Sequence, residues 1–202
     1  MASVAAPYGF QPISGQSGIP NPVRMQNGIA NQYTTNIYKG SAVKLVTATG
    51  TLQLVTNPGG IPDPIYGIFA GVYYTPLGGR PTVSPYWTAG TNVDTTQDFM
   101  VYIWPAWLPD TRWRVQADGP VGQALMGSQF LVTNPTAGNT TTGLSGQTVG
   151  AAGAGAGVQG QFALTEFFDN NGIYDTIGDA FTDLICTIAL PQVGLGNQKS
   201  IG

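Results

Sequence analysis

Ile65-Tyr-Gly-Ile-Phe-Ala-Gly-Val-Tyr-Tyr74, Phe99-Met-Val-Tyr-Ile-Trp-Pro-Ala-Trp107 and Arg112-Trp-Arg-Val-Gln-Ala-Asp118 decide the fold class. All 4 tryptophans and 11 of the 21 aromatic residues lie between Ile65 and Asp118. Aromatic side chains bury the most surface each, so the centre of a core or interface is expected here. In an extended segment, Ile65, Gly67, Phe69, Gly71 and Tyr73 point one way and Tyr66, Ile68, Ala70, Val72 and Tyr74 the other. Neither face is polar, which predicts a strand covered on both sides. Glycine inside a strand costs stability unless something approaches closely, and a tryptophan ring from a following strand is the expected neighbour of Gly67 and Gly71. Arg112, Arg114 and Gln116 alternate with Trp113, Val115 and Ala117, predicting a half-exposed strand at the sheet edge.

Working outward, Val43-Lys-Leu-Val-Thr47 and Leu52-Gln-Leu-Val-Thr56 flank Ala48-Thr-Gly50, a hairpin signal. Further strands are expected at Gln129–Thr133, Gln147–Val149, Phe162–Phe168 and Leu184–Leu190. A single helical turn is expected somewhere within 175–183. The Gly/Ala run from Val149 to Val158 has too little side chain for a core and is expected to be a flexible or closely packed loop. Nine or ten short strands between Gly/Pro turns indicate an all-β fold: an antiparallel β-sandwich, jelly-roll-like or barrel domain over residues 33–191. Residues 1–32 hold Pro7, Pro12, Pro20 and Pro22 and keep no period. They are expected to form an extended arm whose apolar residues Tyr8, Phe10, Ile13 and Ile19 pack on their own domain or reach a neighbour. Residues 192–202 are expected to be a second extended end.

Only 8% of the 202 residues are charged, against about 25% in ordinary domains. A surface so poor in charge suits a protein covered by its neighbours in an assembly. The net charge of −3 and scattered basic residues argue against nucleic acid as a partner. No basic segment followed by an apolar run opens the chain, and no apolar run approaches the ~20 residues that span a bilayer, so neither secretion nor a membrane is expected. The single cysteine, Cys186, lies in an apolar run and is expected to be buried and inert.

With 0 histidines, the commonest general base, most zinc sites and the serine and cysteine triads are missing. Glu166, the sole glutamate, is a weak candidate for a carboxylate pair. Gly143-Leu-Ser-Gly146 lacks the spacing of a nucleophile elbow, and Leu77-Gly-Gly-Arg-Pro81 lacks that of a phosphate loop. Asp169-Asn-Asn-Gly172, with Asp175 and Asp179, offers oxygen ligands but not the calcium-loop spacing, and reads as an Asx turn. No catalytic residue, cofactor or metal is expected.

At this point the sequence resembles a family. Ile65–Val72, Gly78-Gly-Arg-Pro-Thr-Val-Ser-Pro85 and Val101-Tyr-Ile-Trp-Pro-Ala-Trp107 are similar to segments of tailed-phage virion proteins. So are Arg114-Val-Gln-Ala-Asp-Gly119, Thr141-Thr-Gly-Leu-Ser145, Gln161-Phe-Ala-Leu-Thr-Glu-Phe167, Ile177-Gly-Asp-Ala-Phe-Thr-Asp-Leu-Ile185 and the opening Ala6-Pro-Tyr-Gly-Phe-Gln-Pro12. The resemblance spans most of the chain and is specific as a set. It implies a head decoration (cement) protein: non-enzymatic, assembled in a host bacterial cytoplasm, and resident on the virion capsid. Its implied partners are the major capsid protein and further copies of itself, a homotrimer first of all. Interface residues expected on this reading are Tyr8 and Phe10 in the arm, with Tyr86, Trp87 and Trp107; the Tyr74 to Trp87 loop is expected to touch a neighbour. The alternatives are a virion-displayed carbohydrate-binding or adhesion module, which would need an exposed row of aromatic rings, and a tail-tube or adaptor component.

Overall fold

The computed structural model describes residues 5–13, 18, 20–57, 60–108, 111–168 and 177–192. Fifteen strands follow in chain order: β1 (Gln11–Ile13), β2 (Val23–Gln26), β3 (Ile37–Tyr38), β4 (Ala42–Val46), β5 (Thr51–Leu54), β6 (Gly67–Tyr74), β7 (Thr82–Ser84) and β8 (Tyr86–Trp87). Then come β9 (Met100–Pro105), β10 (Arg112–Gln116), β11 (Gln129–Phe130), β12 (Val132–Thr133), β13 (Thr148–Val149), β14 (Phe162–Phe167) and β15 (Asp183–Ile188). A 3-10 turn, Gln123–Leu125, follows β10. The part of 175–183 that is described holds turns, bends and the start of β15, not the expected helical turn.

Two antiparallel sheets carry the fold. One runs β1-β10-β15-β14-β11; the other runs β2-β9-β6-β4-β5, with β7 also paired to β6. Both are open, so the arrangement is a sandwich and not a closed barrel. Between them lies the first core, with Trp113, Val115, Phe162, Leu164, Leu184 and Cys186 from one sheet against Ala42, Ile68 and Trp104 from the other. The second core lies on the far side of the six-stranded sheet. There Val43, Phe69, Val72, Val101 and Ile103 meet Ile29, Ile37, Trp87, Val93 and Phe99, which belong to loops and to the short β3–β8 pair. The central strand β6 is therefore covered on both faces as far as Ala70, as its two apolar faces predict.

Its alternation is nevertheless broken. Phe69 pairs with Ile103 and Gly71 with Tyr102, which leaves Ala70 as an extra residue. This bulge turns Phe69, Val72 and Tyr74 to the second core and Ala70 to the first. The expected assignment of faces thus holds only for Ile68, Phe69 and Ala70; Ile65 lies in the first core with Ile68, and Tyr66 packs on the second with Phe69. The neighbour of Gly67 is also not a tryptophan ring: a Cβ there would stand 2.6 Å from the backbone oxygen of Trp104. Gly71, at φ +150°, faces the Ser84 oxygen. Both glycines make room for backbone.

The predicted hairpin is present, with Val43 opposite Leu54 and Val46 opposite Thr51. Its turn closes by Gly50 N donating to Val46 O at 2.8 Å, with Gly50 at φ +69°. The Gly/Ala run is held along β11: Gly150 N donates to Leu131 O and Ala154 N to Gln129 O. Its first half is packed in this way, whereas residues 155–157 are exposed, with open space around Gly155 and Gly157.

The N-terminal residues differ from a separate arm. β1 pairs with β10, and β2 pairs with β9, so the described part of residues 1–32 contributes a strand to each sheet. The Arg112 strand consequently lies inside its sheet, between β1 and β15, and not at its edge. Residues 193–202 lie outside the described residues, as do Ile19 and the Asp169–Gly172 and Asp175 oxygen ligands.

With so little charge available, buried amides tie loops to sheets. Gln161 is fully buried; its Oε1 accepts from Val132 N at 2.8 Å and its Nε2 donates to Asp63 O at 2.7 Å. Gln147 accepts from Ala42 N and donates to Pro135 O. Each bond contributes about 1 kcal/mol net, but losing a partner in the interior costs more.

Candidate interaction surface

Large apolar side chains are exposed on the hairpin of β6 and β7. Its turn is closed by Gly79 N donating to Pro76 O at 2.8 Å, and Gly78 takes φ +72°. The turn is moored to the next loop by Leu77 N donating to Asn92 O at 2.9 Å. Leu77 is 65% and Val83 79% exposed, two of the five large hydrophobics left open among the described residues. Pro81 and Pro85 bracket β7, which pairs only with β6. Proline has no N–H to offer, so a further strand cannot add along this edge in register. The hairpin presents side chains rather than backbone.

Behind it, cross-strand partners place Val83, Tyr73, Met100 and Gln26 in one row, and Gly71, Tyr102 and Arg24 in the next. Opposed residues share a face, and this one is opposite to the second core. The five-stranded sheet covers it at Ile68 and Trp104 but not at this end. Tyr73, Met100 and Tyr102 are half-buried, while Arg24 and Gln26 are exposed. The Tyr73 and Tyr102 hydroxyls make no hydrogen bond within the described residues.

The five expected interface residues divide. Phe10 is fully buried, stacked on Phe162 at a centroid distance of 4.2 Å, with its N–H donating to Gly40 O. Trp87 is fully buried, stacked on Phe99 at 5.5 Å. Neither has surface to offer a neighbour while this fold is intact. Tyr8 is half-buried; Tyr86 is half-buried against Tyr38 at 5.7 Å; Trp107 is half-buried, edge-on to Tyr66 at 5.2 Å. In the Tyr74 to Trp87 loop the exposed residues are Leu77, Gly78, Gly79, Arg80, Pro81, Val83 and Pro85. Three of the four tryptophans, Trp87, Trp104 and Trp113, are at most 8% exposed. The row of open rings that an adhesion platform needs is therefore not built from them.

Tyr8 belongs to a clamp on the outer face of the five-stranded sheet. The Arg114 guanidinium lies 5.0 Å from the Tyr8 ring centroid and 3.7 Å from that of Phe168. It pairs with Asp183 at 2.6 Å, whose other oxygen accepts from the Tyr8 hydroxyl at 3.0 Å. Burial, then the Asp183 carboxylate, push the Tyr8 phenol well above its usual range, so it stays a neutral donor. A cation held between two rings adds roughly 0.5–2 kcal/mol. The clamp fastens the N-terminal segment; nothing in it is poised for proton transfer.

Open grooves also lie among the described residues. One, of about 430 Å³, lies between residues 6–8 and 137–146; the other, of about 400 Å³, lies between Gln123, Met126, Thr165, Glu166 and Ile177. Tyr8 is the titratable group in the first and is engaged by Asp183. Glu166 in the second is exposed and paired with Arg112 at 3.1 Å. Asn139 turns its side chain inward to accept from the amides of Thr141 and Thr142, an Asx turn. Cys186 is fully buried, which pushes its thiol up to about 12.

Comparison of this chain with protein-family models, with curated proteins and with solved structures returns no match.

Proposed function

We propose that this chain is a non-enzymatic structural protein of a tailed-phage virion, a cement protein that binds the outer surface of the head and bridges major capsid protein subunits. The observation that carries this reading is the Leu77–Val83 hairpin, an exposed apolar protrusion on a protein with 8% charged residues. Large apolar side chains held out on a proline-bracketed edge suit contact with another protein. The sequence resemblance and the all-β sandwich support the same role.

Each contact adds about 25 cal/mol per Å² of apolar surface buried, less the cost of ordering the groups involved. Many copies on one shell turn such modest contacts into mechanical reinforcement. The two cores together explain how the hairpin is held: β6 is anchored through one face in each.

The test is co-sedimentation of the purified chain with expanded, DNA-free heads that lack it. Leu77→Asp changes a side chain 65% exposed at a turn, so the fold should be retained. Occupancy at sub-saturating protein is expected to fall at least about tenfold, the effect of some 1.4 kcal/mol. Heads that never take up the wild-type chain would end the proposal; equal uptake of Leu77→Asp would remove the hairpin from the contact. Deleting residues 1–12 is not a clean probe, because it also removes Phe10 from the first core.

A further inference from the structure

A sheet edge with unpaired backbone is a template for another strand, and the edges of these two sheets differ in how far they are closed. β1 has Pro12 as its middle residue. β5 is covered: Leu52 N donates to Gly28 O at 2.7 Å and Leu54 N to the Tyr33 hydroxyl at 3.3 Å. β7 stands between Pro81 and Pro85. Along β11 runs the Gly/Ala segment, with Ala154 N donating to Gln129 O. β2 is different. It borders β9 on one side, and Val23, Arg24 and Gln26 are exposed. Asn27 N donates to Phe99 O at 2.8 Å, which fixes the direction of every backbone group before it. Bonds alternate along an antiparallel pair, so Val23 and Met25 turn their N–H and C=O groups to β9, and Arg24 and Gln26 turn theirs outward. No hydrogen bond reaches those outward groups among the described residues. Pro22 lacks the next outward N–H, and Asn27 leaves the strand at φ +52°, so the open edge is Arg24 to Gln26.

We propose that β2 takes up an extended segment of another protein as an added antiparallel strand, and that this segment carries a carboxylate opposite Arg24. Donors and acceptors alternating at the strand repeat are matched by a second extended backbone, and side chains then set the preference. Met25 packs on the second core, so the residue opposite it meets an apolar border. Arg24 belongs to none of the ion pairs Lys44–Asp63, Arg112–Glu166 and Arg114–Asp183, and an opposite charge across the strands would complement it. The same charge disfavours a second copy of this chain. Two β2 strands paired through Arg24 and Gln26 would set their Arg24 residues diagonally, about 7–8 Å apart on one face. The hairpin of β6 and β7 takes no part, since β9 lies between β6 and β2.

The test is titration of the isotope-labelled full chain with the peptide acetyl-Val-Thr-Val-Glu-Val-Thr-amide, read by amide shifts and hydrogen exchange. In an antiparallel match Glu faces Arg24 and the central Val faces Met25. In the free chain the Arg24 and Gln26 amides are expected to exchange at least about 100-fold faster than those of Val23 and Met25. The peptide is expected to bind with a Kd on the order of 0.1–1 mM and to protect Arg24 and Gln26. Lys in place of Glu in the peptide should weaken binding at least about fivefold, and Arg24→Glu, at an exposed position, should reverse that preference. Gln26→Pro removes an outward donor and none of the bonds to β9, so it should abolish binding with the other amide shifts retained. Arg24 and Gln26 amides already protected in the free chain overturn the proposal. So does an absence of binding up to about 5 mM peptide, or equal binding of the Glu and Lys peptides. Protection that grows only with the concentration of the chain itself would give the edge to a second copy and overturn it as well. No phage head enters the experiment, so its failure leaves the capsid reading standing.

Discussion

The two cores share one sheet but are closed in different ways. The first is sheet against sheet, with Trp113 and Trp104 edge-on at 6.3 Å. The second is sheet against loops, with Trp87 filling the space between Phe99 and Tyr74. A sheet satisfies its own backbone, whereas a loop over a core needs other partners for its amides. Asparagines provide them: Asn31 Oδ1 accepts from Val93 N at 2.9 Å, and Asn36 Oδ1 from Ala89 N at 2.7 Å. The loops so held are those that support the hairpin, through Asn92 and Val93. The loop-covered core therefore positions the proposed contact surface, and the sheet-covered core supplies the frame.

The largest test of that contrast is a pair of truncations. Trp113→Ala and Trp87→Ala should each cost about 3–5 kcal/mol in denaturant titration. Their hydrogen-exchange patterns should differ. Trp87→Ala should release the amides of residues 29–33 and 88–99 by local opening, and Trp113→Ala should lower protection throughout. Identical patterns would show the two cores to be one cooperative unit. Next in size is Gly67→Ala, which brings a methyl group against the Trp104 oxygen and should cost about 1–3 kcal/mol by forcing β6 and β9 apart. Asn31→Ala should cost about 1–2 kcal/mol, since Val93 N then lacks its acceptor.

The smallest effect is expected at Lys44–Asp63, 2.8 Å apart beside the hairpin of β4 and β5. Lys44→Met should cost about 0.5–1 kcal/mol. Partial burial pushes the Asp63 carboxyl up, but Lys44 and the Thr56 amide and hydroxyl outweigh it and hold the group below the usual carboxylate range. A lowered folded pKa means this stability is present above about pH 4, the unfolded value, and is lost as pH falls through the folded one. The wild-type chain should therefore show a steeper acid limb than Lys44→Met; equal limbs would remove the pair from the account.

What was legible in the sequence was local. The Val43–Thr56 hairpin, the two-sided β6, the alternation of Arg112–Ala117 and the buried Cys186 each follow from period-two patterning or composition within a few residues. What was not legible depended on pairings far apart in the chain. The bulge at Ala70 leaves no mark on a run where every residue is apolar. That Phe10 stacks on Phe162, 152 positions away, cannot be told from an arm reaching elsewhere, because an extended proline-rich segment looks the same in both cases. Trp87 sat in an apparent surface loop that proves to cover a core. Leu77 and Val83 give no periodic signal, since each is a lone aliphatic residue in a stretch of glycines and prolines.

The proposed role is most directly tested by electron cryomicroscopy of heads with and without the protein. A difference map is expected to show one sandwich-sized density per binding position on the outer face of the shell, with its hairpin end directed at the capsid subunits. Density confined to the tail or the portal region, or no added density at saturating protein, would contradict the account.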